Sequence, residues 1–89
     1  MNREVEIYYS SGFKGAYERL ETVIKKKAER RVAMFHKDAH DRRLDTHRLN
    51  GKLKEFWAFS IDDKYRIAFK FMDDKTVLFL DAGDHDIYK

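Results

Sequence analysis

Residues 49–88, LNGKLKEFWAFSIDDKYRIAFKFMDDKTVLFLDAGDHDIY, decide the fold. Three strand-like runs, Lys54–Ile61, Tyr65–Met72 and Thr76–Gly83, are separated by turns built on Asp62-Asp63 and Asp73-Asp74. Asp suits such turns because its carboxylate bonds the backbone just after it. Sequential strands joined this tightly must pair antiparallel. In the middle run, strand alternation puts Tyr65, Ile67, Phe69 and Phe71 on one face and Arg66, Ala68 and Lys70 on the other. The stretch predicts a sheet with an aromatic core face and a second, more polar face carrying Arg66. Trp57 and Phe59, in the first run, are assigned to the core.

Upstream, Val5, Ile7 and Tyr9 alternate in a short strand pattern, and Ser10-Ser-Gly offers a turn and a helix N-cap. Phe13, Tyr17, Leu20 and Ile24, then Ala28, Val32 and Phe35, recur at helical spacing. One helix from about Phe13 to Lys37 fits this pattern, and so does a hairpin broken near Leu20–Thr22 with Thr22 as the second cap. The hairpin is preferred, because a single helix of that length is long for so small a domain. Beyond Phe35 the pattern gives way to HKDAHDRRLDTHRLNG, the helix end and a connecting loop. The expected architecture is α+β, a β-α-α-β-β-β order in one domain over residues 1–89, with the helical hairpin on one face of an antiparallel sheet.

Composition narrows the function. The 89 residues contain no cysteine, which excludes disulfides and thiolate metal sites. No apolar run approaches the length of a membrane span and no signal-peptide core follows the N-terminus, so a soluble, cytoplasmic protein with no membrane partner is expected. Net charge is +3, but it is uneven: residues 1–50 hold 12 Lys+Arg against 8 Asp+Glu, and residues 51–89 hold 7 against 8. The basic half, densest at Lys25-Lys26-Lys27 and Arg30-Arg31, favours polyanions. A solvated helix face accounts for the same lysines.

Taken in order, these pieces resemble the RelE/ParE superfamily of toxins. The aromatic first strand, Phe13-x-x-x-Tyr17-x-x-Leu20, the His47-Arg-Leu-x-Gly-x-Leu loop after Leu44, Trp57, Tyr65-Arg-Ile and the closing Gly83-Asp-His-Asp-Ile-Tyr carry the likeness across nearly the whole chain. The set is most similar to the RelE/StbE branch. The resemblance implies the toxin of a type II toxin–antitoxin pair, a RelE-like fold, and ribosome-dependent cleavage of mRNA by attack of the RNA 2′-hydroxyl. It implies three partners, a cognate antitoxin, the ribosome and mRNA, and no DNA contact by the toxin alone.

Such cleavage needs a base, a phosphate stabiliser and an acid for the leaving 5′-oxygen, and no metal. Arg66 suits the phosphate, because a guanidinium stays charged and can grip two oxygens. The alternative is a structural arginine paired with Asp62, Asp63 or Asp81. By resemblance, His85 is the acid/base histidine and Tyr88 the C-terminal tyrosine that stacks on a base or bonds the phosphate. Lys52 and Lys54 are placed to neutralise phosphates. His47 stands where some relatives carry a catalytic histidine. His36 and His40 have an i,i+4 metal-ligand spacing, but a helix end falls there and no third ligand is placed, so no metal or other cofactor is expected. Ser60 occupies a position where some relatives have a catalytic basic residue, and neither Asp41 nor Asp45 aligns with the glutamate base of others. The general base stays unassigned. Two further readings of the same scaffold are a ParE-like inhibitor of DNA gyrase without nuclease activity, and a decayed toxin that only binds its antitoxin.

Overall fold

The chain runs through strand β1 (Glu6–Tyr9), helices α1 (Ser11–Glu18) and α2 (Thr22–Lys37) and a 3-10 turn (Arg42–Leu44). Four strands follow, β2 (His47–Arg48), β3 (Trp57–Ser60), β4 (Tyr65–Asp73) and β5 (Thr76–Asp84). The computed structural model describes residues 3–50 and 55–84. The strands form one sheet in the order β1-β5-β4-β3-β2. The acidic turns produce the expected antiparallel meander through β3, β4 and β5. The α+β class and the helical hairpin on one face are as the sequence predicts.

Two edge features go beyond that prediction. β1 lies parallel to β5, because the two helices form a crossover between them. His47-Arg48, expected within a loop, forms a two-residue strand paired with Ala58 and Trp57. Two residues carry too little alternation to announce a strand. β3 is also shorter at its start than the sequence pattern, since Glu55 and Phe56 lie outside the strand.

Local chemistry explains the helix ends. Ser10 is extended, and its Oγ accepts a hydrogen bond from the Phe13 N–H at 3.0 Å, which caps α1. Arg19 and Leu20 then donate to Ala16 and Tyr17 in a tightened last turn. Thr22, expected to cap α2, is instead its first helical residue; Glu21 holds the cap position, with no side-chain bond to the helix. Backbone geometry alone, without glycine or proline, makes this break.

Between helices and sheet lies an aromatic core. Phe35 is fully buried, with ring centroids 4.5 Å from Phe59, 4.8 Å from Phe69 and 5.4 Å from Phe79. Phe13, Ile24, Ile67 and Val77 complete it, and Trp57 packs against it half-buried. Among the described residues, no helix is long and apolar enough to cross a membrane.

The last strand contains a bulge. Phe69 pairs with Phe79 and Ala68 with Asp81, so Leu80 has no counterpart on β4. A bulged residue interrupts alternation and re-aims the side chains beyond it. Val77 and Phe79 point into the core, so plain alternation would send Asp81 inward; the extra residue sends Ala82 inward and Asp81 to the other face. The Leu80 carbonyl accepts from Ser10 Oγ at 3.3 Å. A Cβ on Gly12 would meet the same carbonyl at 3.2 Å, so a side chain there would crowd the bulge.

Candidate functional site

On the face away from the helices, register places the candidate residues. One row crosses four strands: His47 beside Ala58, Ala58 beside Ala68, Ala68 beside Asp81. The next row is Ser60, Arg66 and Gly83. Lys70 follows Ala68 on the same side of β4. Ala58 and Ala68 are buried but outside the aromatic core. They form a small-residue floor between longer polar side chains. From a strand spacing near 4.8 Å and a rise near 3.4 Å, the His47 and Arg66 Cα atoms stand roughly 12 Å apart on one face.

Arg66 is half-buried and its Nη1 donates to two main-chain carbonyls, Asp62 at 2.7 Å and Tyr65 at 3.1 Å. Among the described residues it forms no ion pair with Asp62, Asp63 or Asp81, and its bond to Asp62 is to the main chain. The neighbouring Ser and Gly leave the guanidinium uncrowded, and among the described residues Nε and Nη2 bond to nothing. The turn that supplies these carbonyls is organised by the Asp62 carboxylate, which accepts from Lys64 N at 2.9 Å, Tyr65 N at 2.8 Å and Lys27 Nζ at 3.1 Å. Burial works against its charge, but the two backbone donors and the Lys27 ammonium outweigh that and lower the Asp62 pKa below its ordinary value.

His47 is exposed at the sheet edge, and its Nδ1 lies 2.8 Å from the Asp45 carbonyl. A carbonyl only accepts, so in the neutral ring Nδ1 carries the proton and Nε2 keeps a lone pair. Asp45 closes the 3-10 turn in the left-handed region, at φ 51° and ψ 44°, which brings its carbonyl to the ring. The floor therefore has an imidazole at one end and a guanidinium at the other.

Lys52, Lys54, His85 and Tyr88 lie outside the described residues. His36 and His40 do not converge. His36 Nε2 lies 3.6 Å from Glu4, while His40, past the end of α2, packs its ring on Trp57 and Phe71. Among the described residues, no group of three potential metal ligands forms. Asp81 reaches this face through the bulge, of which alternation in the sequence gives no sign. Lys70 was legible on the Arg66 face but was not singled out.

No family model matches the chain, and no curated protein does. Solved structures do match. The toxin–antitoxin complex RelBE2 from Mycobacterium tuberculosis has a TM-score of 0.76 at 13% identity, covering 91% of this chain and 91% of that one. The E. coli DinJ-YafQ toxin–antitoxin complex has a TM-score of 0.73 at 17% identity, over 94% and 96%. The YoeB/ParE toxin from Agrobacterium tumefaciens has a TM-score of 0.73 at 12% identity, over 91% and 99%. The fold is that of the RelE/ParE toxins. Identities this low establish the RelE/ParE-like fold alone, which hosts more than one activity; the choice among activities rests on the site.

Proposed function

We propose that the chain is the toxin of a type II toxin–antitoxin pair and cleaves mRNA on the ribosome. The observation that carries this reading is the pairing of His47 and Arg66 on one open sheet face, across a floor of alanines. Arg66 leaves its carbonyl anchors, or keeps one, and forks onto the scissile phosphate, where its charge stabilises the transition state. His47 Nε2 takes the proton of the 2′-hydroxyl, which fills the role of general base. His85 returns a proton to the leaving 5′-oxygen, Tyr88 stacks on or bonds the nucleotide, and Lys52 and Lys54 neutralise neighbouring phosphates. Proton transfer and fixed charge account for the whole reaction, so it needs no metal. Its place is the cytoplasm, where ribosomes translate.

The partner in this reading is an antitoxin. An apolar hollow of about 360 Å³ between β1 and the helices is lined by Tyr9, Phe13, Tyr17 and Val32. It adjoins the outer edge of β1, which no strand covers among the described residues. A groove beside a free edge suits an added helix or strand.

The test is mRNA cleavage in a translating extract, comparing wild type with Arg66→Ala, His47→Gln and His85→Ala. Cuts within ribosome-bound mRNA that each substitution suppresses support the assignment. Translational arrest with intact mRNA overturns it, and gyrase inhibition with uncut mRNA selects the ParE-like alternative.

A further inference from the structure

The β5 bulge introduces an irregularity in a central strand that turns one carboxylate, Asp81, onto a face whose other charged groups among the described residues are Arg66 and Lys70. For binding phosphate this is a disadvantage, because a carboxylate repels an anion. Nor, among the described residues, does Asp81 have a cationic partner to which it is a counter-ion. Ala68, its cross-strand partner, lies between Arg66 and Lys70 on β4, yet among the described residues Asp81 pairs with neither. Its Oδ1 accepts from the Ala82 N–H at 2.9 Å, which fixes the carboxylate, and among the described residues Oδ2 accepts no hydrogen bond. Beside it lies the alanine floor, the part of the face with the least side-chain bulk. A fixed acceptor next to a flat gap, bordered by cations, suits a nucleobase whose flanking phosphates sit on those cations.

We propose that Asp81 is a specificity-determining residue that reads the Watson–Crick edge of one unpaired base in the bound RNA, and that this base is guanine. Single-stranded RNA exposes that edge to side chains. A carboxylate offers acceptors only, so it discriminates by counting donors. Guanine presents two adjacent donors, N1–H and the N2 amino group. Adenine, cytosine and uracil each present one donor beside an acceptor that would face the carboxylate. The inference rests on the RNA-cleaving reading for its ligand and goes beyond it in assigning a base and the residue that selects it.

The test has two arms, with wild type, Asp81→Asn and Asp81→Ala. The asparagine retains an acceptor for the Ala82 N–H, so the bulge is preserved. In the first arm, cuts are mapped in a translating extract on mRNAs that carry each base in turn around one cleavage site. Wild type is expected to favour guanine by at least about tenfold at one position, and both variants to lose that preference while still cutting. A preference unchanged in the variants, or a uniform rise or fall at every site, overturns the proposal; the uniform change is that of a mere charge. The second arm measures binding of short single-stranded RNAs with guanine, inosine, adenine, cytosine or uracil at one place. Inosine keeps N1–H and lacks the amino group. Guanine bound more tightly than inosine by wild type, and equally by Asp81→Asn, supports the assignment even if wild type cuts nothing, an outcome that removes the nuclease reading alone. Equal binding of all five by wild type overturns it.

Discussion

Arg66 gives its Nη1 proton to the Asp62 main-chain carbonyl at 2.7 Å and not to the Asp62 carboxylate. That carboxylate is already occupied by two backbone N–H groups and the Lys27 ammonium. The guanidinium is thus positioned without being neutralised, which a carboxylate partner would have done. This is the condition for an arginine that meets an incoming anion.

Replacing Arg66 therefore removes charge stabilisation at small cost to the fold. Arg66→Ala is expected to slow mRNA cleavage by about 10²–10³-fold. Arg66→Lys is expected to rescue little, because an ammonium cannot fork across two oxygens. Loss of hydrogen bonds to two carbonyls costs stability only about 1–2 kcal/mol. Cleavage rates beside urea unfolding midpoints check both statements.

Asp45 carries the one positive φ outside glycine among the described residues. Left-handed backbone costs a side-chain-bearing residue roughly 1–2 kcal/mol, less for Asp, and glycine nothing. Asp45→Gly keeps the carbonyl that holds His47 Nδ1, so stability is expected to be unchanged or slightly higher, with cleavage retained. Asp45→Val is expected to lose about 1–2 kcal/mol and to cut more slowly, as the His47 ring loses its anchor. Thermal melts and cleavage assays on the two variants separate strain from chemistry.

Acid sensitivity follows from Asp41. Side-chain and backbone hydrogen bonds from Arg43 hold its pKa at about 2, against an ordinary 3.8. A carboxyl depressed in the fold contributes stability that is complete above its unfolded value and lost as pH falls through the folded one. The contribution is therefore expected to be intact above pH 4 and to vanish between about 4 and 2. Asp41→Asn should unfold at lower urea than wild type at pH 7, and the gap should close over that window.

Phe35 is the keystone of the core, fully buried against three other phenyl rings. Phe35→Ala is expected to cost about 3–5 kcal/mol, a large part of the stability of a domain this small. A two-state urea titration measures it.

Much of this was legible in the residues. Alternation through Tyr65-Arg-Ile-Ala-Phe-Lys-Phe placed Arg66 opposite the core correctly, because one face of the sheet is dry and register is then strongly specified. The spacing of Phe13, Tyr17, Ile24 and Phe35 announced helix without deciding between one and two, and the length of a single helix favoured the hairpin. What was not legible depends on tertiary partners. The β2 strand exists only because β3 offers it an edge. The cap at Thr22 lost to backbone geometry at Glu21. The outward turn of Asp81 depends on an extra residue stabilised by Ser10, some seventy positions away in the chain. Alternation rules see neighbours along a strand, and these features are settled by neighbours in space.

The parallel pairing of β1 with β5 has a temporal side. Glu6–Tyr9 is made first and Thr76–Asp84 last among the strands, yet each is the other's sheet neighbour. During synthesis β1 has nothing to pair with until β5 has emerged, so the sheet cannot close while the polypeptide is still short.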